Sequence, residues 1–139
     1  MITILVIGAA AVFLLAYRLY GRFLARRLDL NDANITPACA INDNVDYVPA
    51  KAPLLLGQHF SAIAAAGPIV GPVLAAIWFG WLPAVLWVVL GAVFIGGVHD
   101  FSTLVASVRH RGLSIGELVK QYISPRSYTF FLIFIWITL

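Results

Sequence analysis

Polar and apolar positions along this chain alternate in blocks of tens of residues, far longer than the two-residue period of a strand. The first block, from Ile2 to about Tyr20, is free of charge up to Tyr17. At about 1.5 Å per residue it approaches the roughly 30 Å of a hydrocarbon core. Arg18, Arg22, Arg26 and Arg27 follow it, whereas a secretory signal carries its positive charge before the apolar core, so this block reads as a retained anchor. A polar stretch rich in Asn, Asp and Pro then predicts a loop over 21–55. The next apolar run, Ala52 to Val98, has His59 as its only titratable side chain and exceeds twice the roughly 20 residues that one crossing needs. It therefore turns back once, most naturally at "FGWLP" (79–83), where Gly80 and Pro83 interrupt the helix and Trp78 and Trp81 suit the headgroup level.

These lengths predict an all-α, polytopic membrane protein with spans over about 2–20, 56–79 and 83–108, joined by loops at 21–55 and 109–126. In the second loop, "SIGELVKQY" (114–122) has Ser114 and Glu117 at capping-box spacing. Ile115, Leu118, Val119 and Tyr122 share one face, so the segment predicts a short amphipathic helix on the membrane surface, ended by Pro125. The apolar run 127–139 is too short to cross and predicts the start of a fourth span, as in a fragment of a longer protein.

Lysine and arginine mark the cytoplasmic side. With the N-terminus outside and each span crossing once, all nine basic residues lie in the cytoplasm. A re-entrant 57–79 segment would put four of them outside, which argues for a true crossing. The composition agrees: 62% hydrophobic and 11% charged residues lie outside the range of soluble domains. A net charge of +3 distributed between apolar runs forms no nucleic-acid stripe. Cys39 is the only cysteine, which excludes an intrachain disulfide and a thiolate metal cluster.

Three features carry candidate chemistry. "GPIVGP" (67–72) places Pro68 and Pro72 inside a predicted span, where each lacks an amide hydrogen and clashes with the carbonyl four residues earlier. Gly67 and Gly71 tolerate the altered backbone, so the second helix is expected to break at the Gly-Pro pairs. Broken helices at membrane depth survive where they line a polar cavity, and transporters use them to hold substrates and ions; a plain kink with close helix packing is the alternative. "GGVHDFSTLVAS" (96–107) sets His99 beside Asp100. An acid at helix centre costs about 2.5 to 3.5 kcal/mol to insert, which makes Asp100 a functional candidate or a structural acid bonded to a neighbour. Ala92, Gly96, Asp100, Thr103 and Ser107 would share a small, polar face, with His99 about 100° away and served by a different partner. The third feature is His59, with Gln58 and Ser61, which fits proton relay, substrate contact or a plain interfacial role. "NDNVD" (42–46) resembles the start of a calcium loop but lacks its glycine and glutamate, which leaves a solvated turn. A haem held by His59 and His99 would need the two rings to converge.

The segments "NDNVDYVPAKAPLLLGQHFSAIAAAGPIVGPVLAA", "GWLPAVLW", "GGVHDF", "SVRHRGLSIGEL" and "SPRSYTFFLIFIWITL" closely resemble the N-terminal part of the carbon starvation protein A family. The resemblance implies a bacterial or archaeal inner-membrane secondary transporter with inverted repeats and a broken helix at its site. It implies uptake of small organic nutrients, peptides or pyruvate, during carbon starvation, coupled to protons or another ion, with further helices completing the transporter. Many members have a histidine at the position of Gln58 and a glycine at that of Ala65. His59, Ser61, Gly67, Pro68, Gly71, Pro72, His99, Asp100 and Thr103 are the expected substrate and ion contacts, with no catalytic residue, metal, cofactor or nucleic acid. A small structural or regulatory membrane subunit is the alternative, and a haem-binding protein a weaker one.

Overall fold

A computed structural model describes residues 2–138. Every regular element among the described residues is helical: α1 (Ile2–Arg27), α2 (Pro37–Ile41), α3 (Ala52–Ile63), α4 (Ala66–Phe79), α5 (Trp81–Gly91), a π turn (Ala92–Gly96), α6 (Gly97–Arg109), α7 (Ile115–Tyr122) and α8 (Pro125–Thr138). Two helices, Ile2–Arg27 and the continuous Trp81–Arg109, are each long and apolar enough to cross a membrane. α3 and α4 reach that standard only together, and they are bent by 50° at the break between them.

Several boundaries differ from those expected. α1 continues through its arginines to Arg27, because arginine is a good helix former and its charge favours the negative end of the helix dipole. α3 begins at Ala52, with proline in its first turn, so the first loop is helical at both ends. Pro125, expected as a terminator, is also the first residue of α8, the position where a missing amide hydrogen costs nothing.

The packing order follows from which residues meet. Leu5, Val6 and Ala9 share a cleft with Trp81, Ala84 and Val85. Further along, Ala16, Tyr20 and Gly21 face Ala92, Val93 and Gly97, and the Tyr20 ring meets Phe94 edge-on at 5.2 Å. At the far end Arg109 reaches the carbonyls of Leu28 and Asp29. α1 and Trp81–Arg109 therefore run parallel. α4 returns antiparallel along α5, its most extensive partner, through a turn at Gly80 whose φ of 87° would strain any residue with a β-carbon. Burial is sparse: Ala84, Val105 and Leu118 are the buried hydrophobics among the described residues. Apolar side chains turned outward suit a lipid solvent.

α7 forms as its pattern predicts. The Ser114 hydroxyl accepts from the Glu117 amide while the Glu117 carboxylate accepts from the Ser114 amide at 2.9 Å. Its apolar face packs on α8, closely enough that a β-carbon at Gly116 would lie 3.3 Å from Phe131.

Candidate functional site

The break between α3 and α4 falls at Ala64 and Ala65, inside a run of alanine, the best helix former. Local propensity does not cause it. Pro68 does: its ring clashes with the carbonyl of residue i−4, which is Ala64. The chain escapes by leaving the helix there, with Ala64 at ψ 50° and Ala65 extended at ψ 179°. "GPIVGP" is therefore not itself the break. Gly67 and Pro68 lie in the first turn of α4 and Pro72 lies inside it, so the expected break at both Gly-Pro pairs is replaced by one break a turn upstream of the first. Pro72 is tolerated, at the loss of one hydrogen bond to the Pro68 carbonyl.

This geometry leaves α4 with an N-terminus partway along the pair. No side chain caps it, and the first amides of a helix lack intrahelical partners and sit at the positive end of the dipole. Such an end attracts anionic groups. His59 and Ser61 lie on α3, which is exposed along its whole length. The 50° bend turns α3 away from the line of α4, and α3 takes part in none of the fold's extensive helix pairings.

His99 and Asp100 lie on α6, just after the π turn. The expectation of separate partners is corrected here: His99 Nδ1 and Asp100 Oδ1 are 3.0 Å apart, close enough for adjacent side chains to share a hydrogen despite pointing along different radii. The histidine side chain is 72% exposed and the carboxylate 39%. The hydroxyls of Ser102 and Thr103 donate to the carbonyls of His99 and Asp100 at 3.1 and 3.0 Å, so Thr103 is engaged with its own backbone. Of the predicted residues, Pro72 lines the cleft formed with α1 and α5. The predicted residues thus fall on three helices: His59 and Ser61 on α3, Gly67, Pro68, Gly71 and Pro72 on α4, and His99, Asp100 and Thr103 on α6.

The π turn was not anticipated. The Gly97 amide bonds the Ala92 carbonyl, five residues back, which inserts an extra residue and rotates everything before it relative to Asp100. The supposed single face through Ala92, Gly96 and Asp100 is therefore interrupted. A β-carbon at Gly97 would lie 3.1 Å from the Ala92 oxygen, so the Gly96–Gly97 pair was the available signal; π turns recur at functional sites.

The "NDNVD" turn is built on one carboxylate. Asp43 Oδ1 accepts from the amides of Val45, Asp46 and Tyr47 at 3.0, 3.0 and 2.8 Å. The Tyr47 amide, then that of Val45, holds its pKa below the usual 3.8. The Tyr47 hydroxyl in turn donates to the Arg111 carbonyl at 2.8 Å. Tyr47 and Arg109 thus fasten the first loop and the end of α1 to the end of α6, a tie spanning up to 81 positions.

Two parallel apolar helices joined by a bent helix pair, with an acid on the second of them, define a multi-pass membrane protein. The chain matches the family described as Carbon starvation protein CstA over residues 1–139 and belongs to it. It is 49% identical to the peptide transporter CstA of Helicobacter pylori strain J99 over 84% of its own length and 17% of that protein. It is 48% identical to the peptide transporter CstA of Bacillus subtilis strain 168, covering 87% of itself and 20% of that relative. Against the pyruvate/proton symporter BtsT of Escherichia coli K12 the identity is 44%, over 87% and 17%. The chain spans about a fifth or less of the length of these relatives. No solved structure matches it.

Proposed function

We propose that this chain supplies the substrate-facing broken helix of a proton-coupled secondary transporter for small organic anions, pyruvate or peptides, in the plasma membrane of a bacterium or archaeon. The observation that carries this reading is the uncapped N-terminus of α4, within the segment that joins two parallel helices along the chain. If α1 and Trp81–Arg109 both cross a bilayer in the same direction, the chain must return between them, and α3 with α4 is the segment available. Their combined contour, about 39 Å at 1.5 Å per residue, suffices for a bent crossing of roughly 30 Å. Lysine and arginine distribution supports an outside N-terminus.

In this reading the α4 amides attract a substrate carboxylate, and Gly67 and Gly71 let it approach the backbone. Asp100, bridged to His99, takes up and releases the coupling proton. His59 and Ser61 approach the pathway from α3 when further helices of the protein close over it. The test uses the complete protein in vesicles, with labelled pyruvate and a labelled dipeptide. Asp100→Asn should reduce gradient-driven uptake by roughly 5- to 150-fold, the usual span of a coupling free energy, while counterflow without a gradient survives. Unchanged uptake with unchanged pH dependence would remove Asp100 from the mechanism.

A further inference from the structure

We propose that the groove between α1 and the stretch from the π turn into α6 binds one anionic phospholipid, its phosphate on Arg18 and Arg22 and an acyl chain laid along the groove. The cleft has a volume of about 680 Å³, and both arginines line it. Small residues, Ala16, Gly21 and Ala25 on α1 against Ala92 and Gly97, hold it open. Arg18 and Arg22 are one helical turn apart and so present their guanidinium groups to the same side. Two guanidinium forks match the oxygens of a phosphodiester.

Charge decides between occupants. α1 contains no acidic residue, and the only ion pair among the described residues is His99 with Asp100, so nothing in the described chain neutralises Arg18 or Arg22. Arg18 lies about 24 Å along α1 from Ile2, which puts the pair at the boundary of a roughly 30 Å core. A second helix docking here would need a carboxylate at that depth, a residue that membrane segments rarely carry. An anionic phospholipid presents its phosphate at this level as a matter of course. Its acyl chain needs to reach only the midplane, about 15 Å. The groove from Arg22 to Phe13 is about 14 Å long, and Phe13 also lines the adjoining cleft toward Leu5. The inference requires α1 to cross a bilayer and is independent of the transported substrate.

The test takes the complete protein, strips its lipid in detergent and adds back phosphatidylglycerol, phosphatidylcholine or inorganic phosphate, with retention read by native mass spectrometry. Phosphatidylglycerol should be retained, and Arg18→Gln with Arg22→Gln should weaken it roughly 10- to 30-fold. Because the arginines also bear on orientation, a second variant is needed. A β-carbon at Gly21 meets nothing within 4 Å, so Gly21→Leu should fold, fill the groove and weaken retention with both arginines intact. Arg126→Gln, on α8, should change nothing. Wild-type retention in the arginine variant or in Gly21→Leu overturns the proposal, as does binding of phosphatidylcholine equal to that of phosphatidylglycerol. Competition by inorganic phosphate at the lipid's own concentration would mark a free-anion site instead, and cross-linking of Gly21→Cys to another segment would mark a helix in the groove.

Discussion

Two regions of the helix assembly treat their backbone groups in opposite ways. At the end carrying Arg27 and Arg109, the carbonyls of Leu28 and Asp29 just past α1 receive the Arg109 guanidinium, Tyr47 bonds Arg111, and Ser114 and Glu117 cap α7 reciprocally. At the break between α3 and α4, a helix begins with no cap at all. Backbone groups that a chain leaves without partners in a membrane protein are either covered by other segments or offered to a ligand. The difference separates a region that holds the fold from one available for chemistry, and each can be disturbed without touching the other.

The largest expected effect comes from abolishing the contrast. Pro68→Ala with Pro72→Ala removes the clash at Ala64, and the alanine run should then carry α3 into α4 as one straight helix. The α4 dipole end, worth up to about 2 kcal/mol to an anion, would disappear. Apparent substrate affinity in vesicles should fall roughly 10- to 30-fold, with thermal stability unchanged or raised. Wild-type affinity would make the break a packing feature only.

Arg109→Ala attacks the other region. It strands the carbonyls of Leu28 and Asp29, and because the site is exposed the loss should be about 1 kcal/mol rather than the 3 kcal/mol of a buried charged bond. The melting temperature of the purified protein should drop while substrate affinity holds. A drop in affinity with no change in melting would mean that the two regions are coupled, which contradicts their separation.

The local devices were legible in the sequence and the long-range ones were not. The helical character of the apolar runs, the Gly80 turn and the Ser114 capping box are set by residues within a few positions of one another, where period and propensity act. The clash of each proline with the carbonyl four residues earlier was legible, but not which of the two would break the helix: the chain leaves it at Ala64, opposite Pro68, and continues through Pro72. The His99–Asp100 bond escaped a helical wheel, which compares directions of β-carbons and ignores how far side chains bend. Arg109 meets Leu28 across 81 positions, and nothing within either segment marks the pairing. The π turn lies between these cases: Gly96 and Gly97 permit it, but equally permit an ordinary helix.

The smallest effect tests how the secured end is held. The Glu117 pKa lies below its ordinary 4.5, first because the Ser114 amide donates to the carboxylate and second because the Ser114 hydroxyl does, with Lys120 adding charge attraction. A depressed carboxylate pKa contributes stability that is complete above 4.5 and disappears as pH falls through the lowered value. Protection of the first-turn amides of α7 against hydrogen exchange should therefore be constant near neutrality and decline only below about pH 4.5. Ser114→Ala removes the hydroxyl but keeps the amide. It should reduce that protection roughly 2- to 5-fold at neutral pH, while the Glu117 titration stays below 4.5 by a smaller margin. A return of that titration all the way to 4.5 would show that the hydroxyl, not the backbone, anchors the carboxylate; the cap would then rest on one side chain, and this end would be less secure than its paired bonds imply.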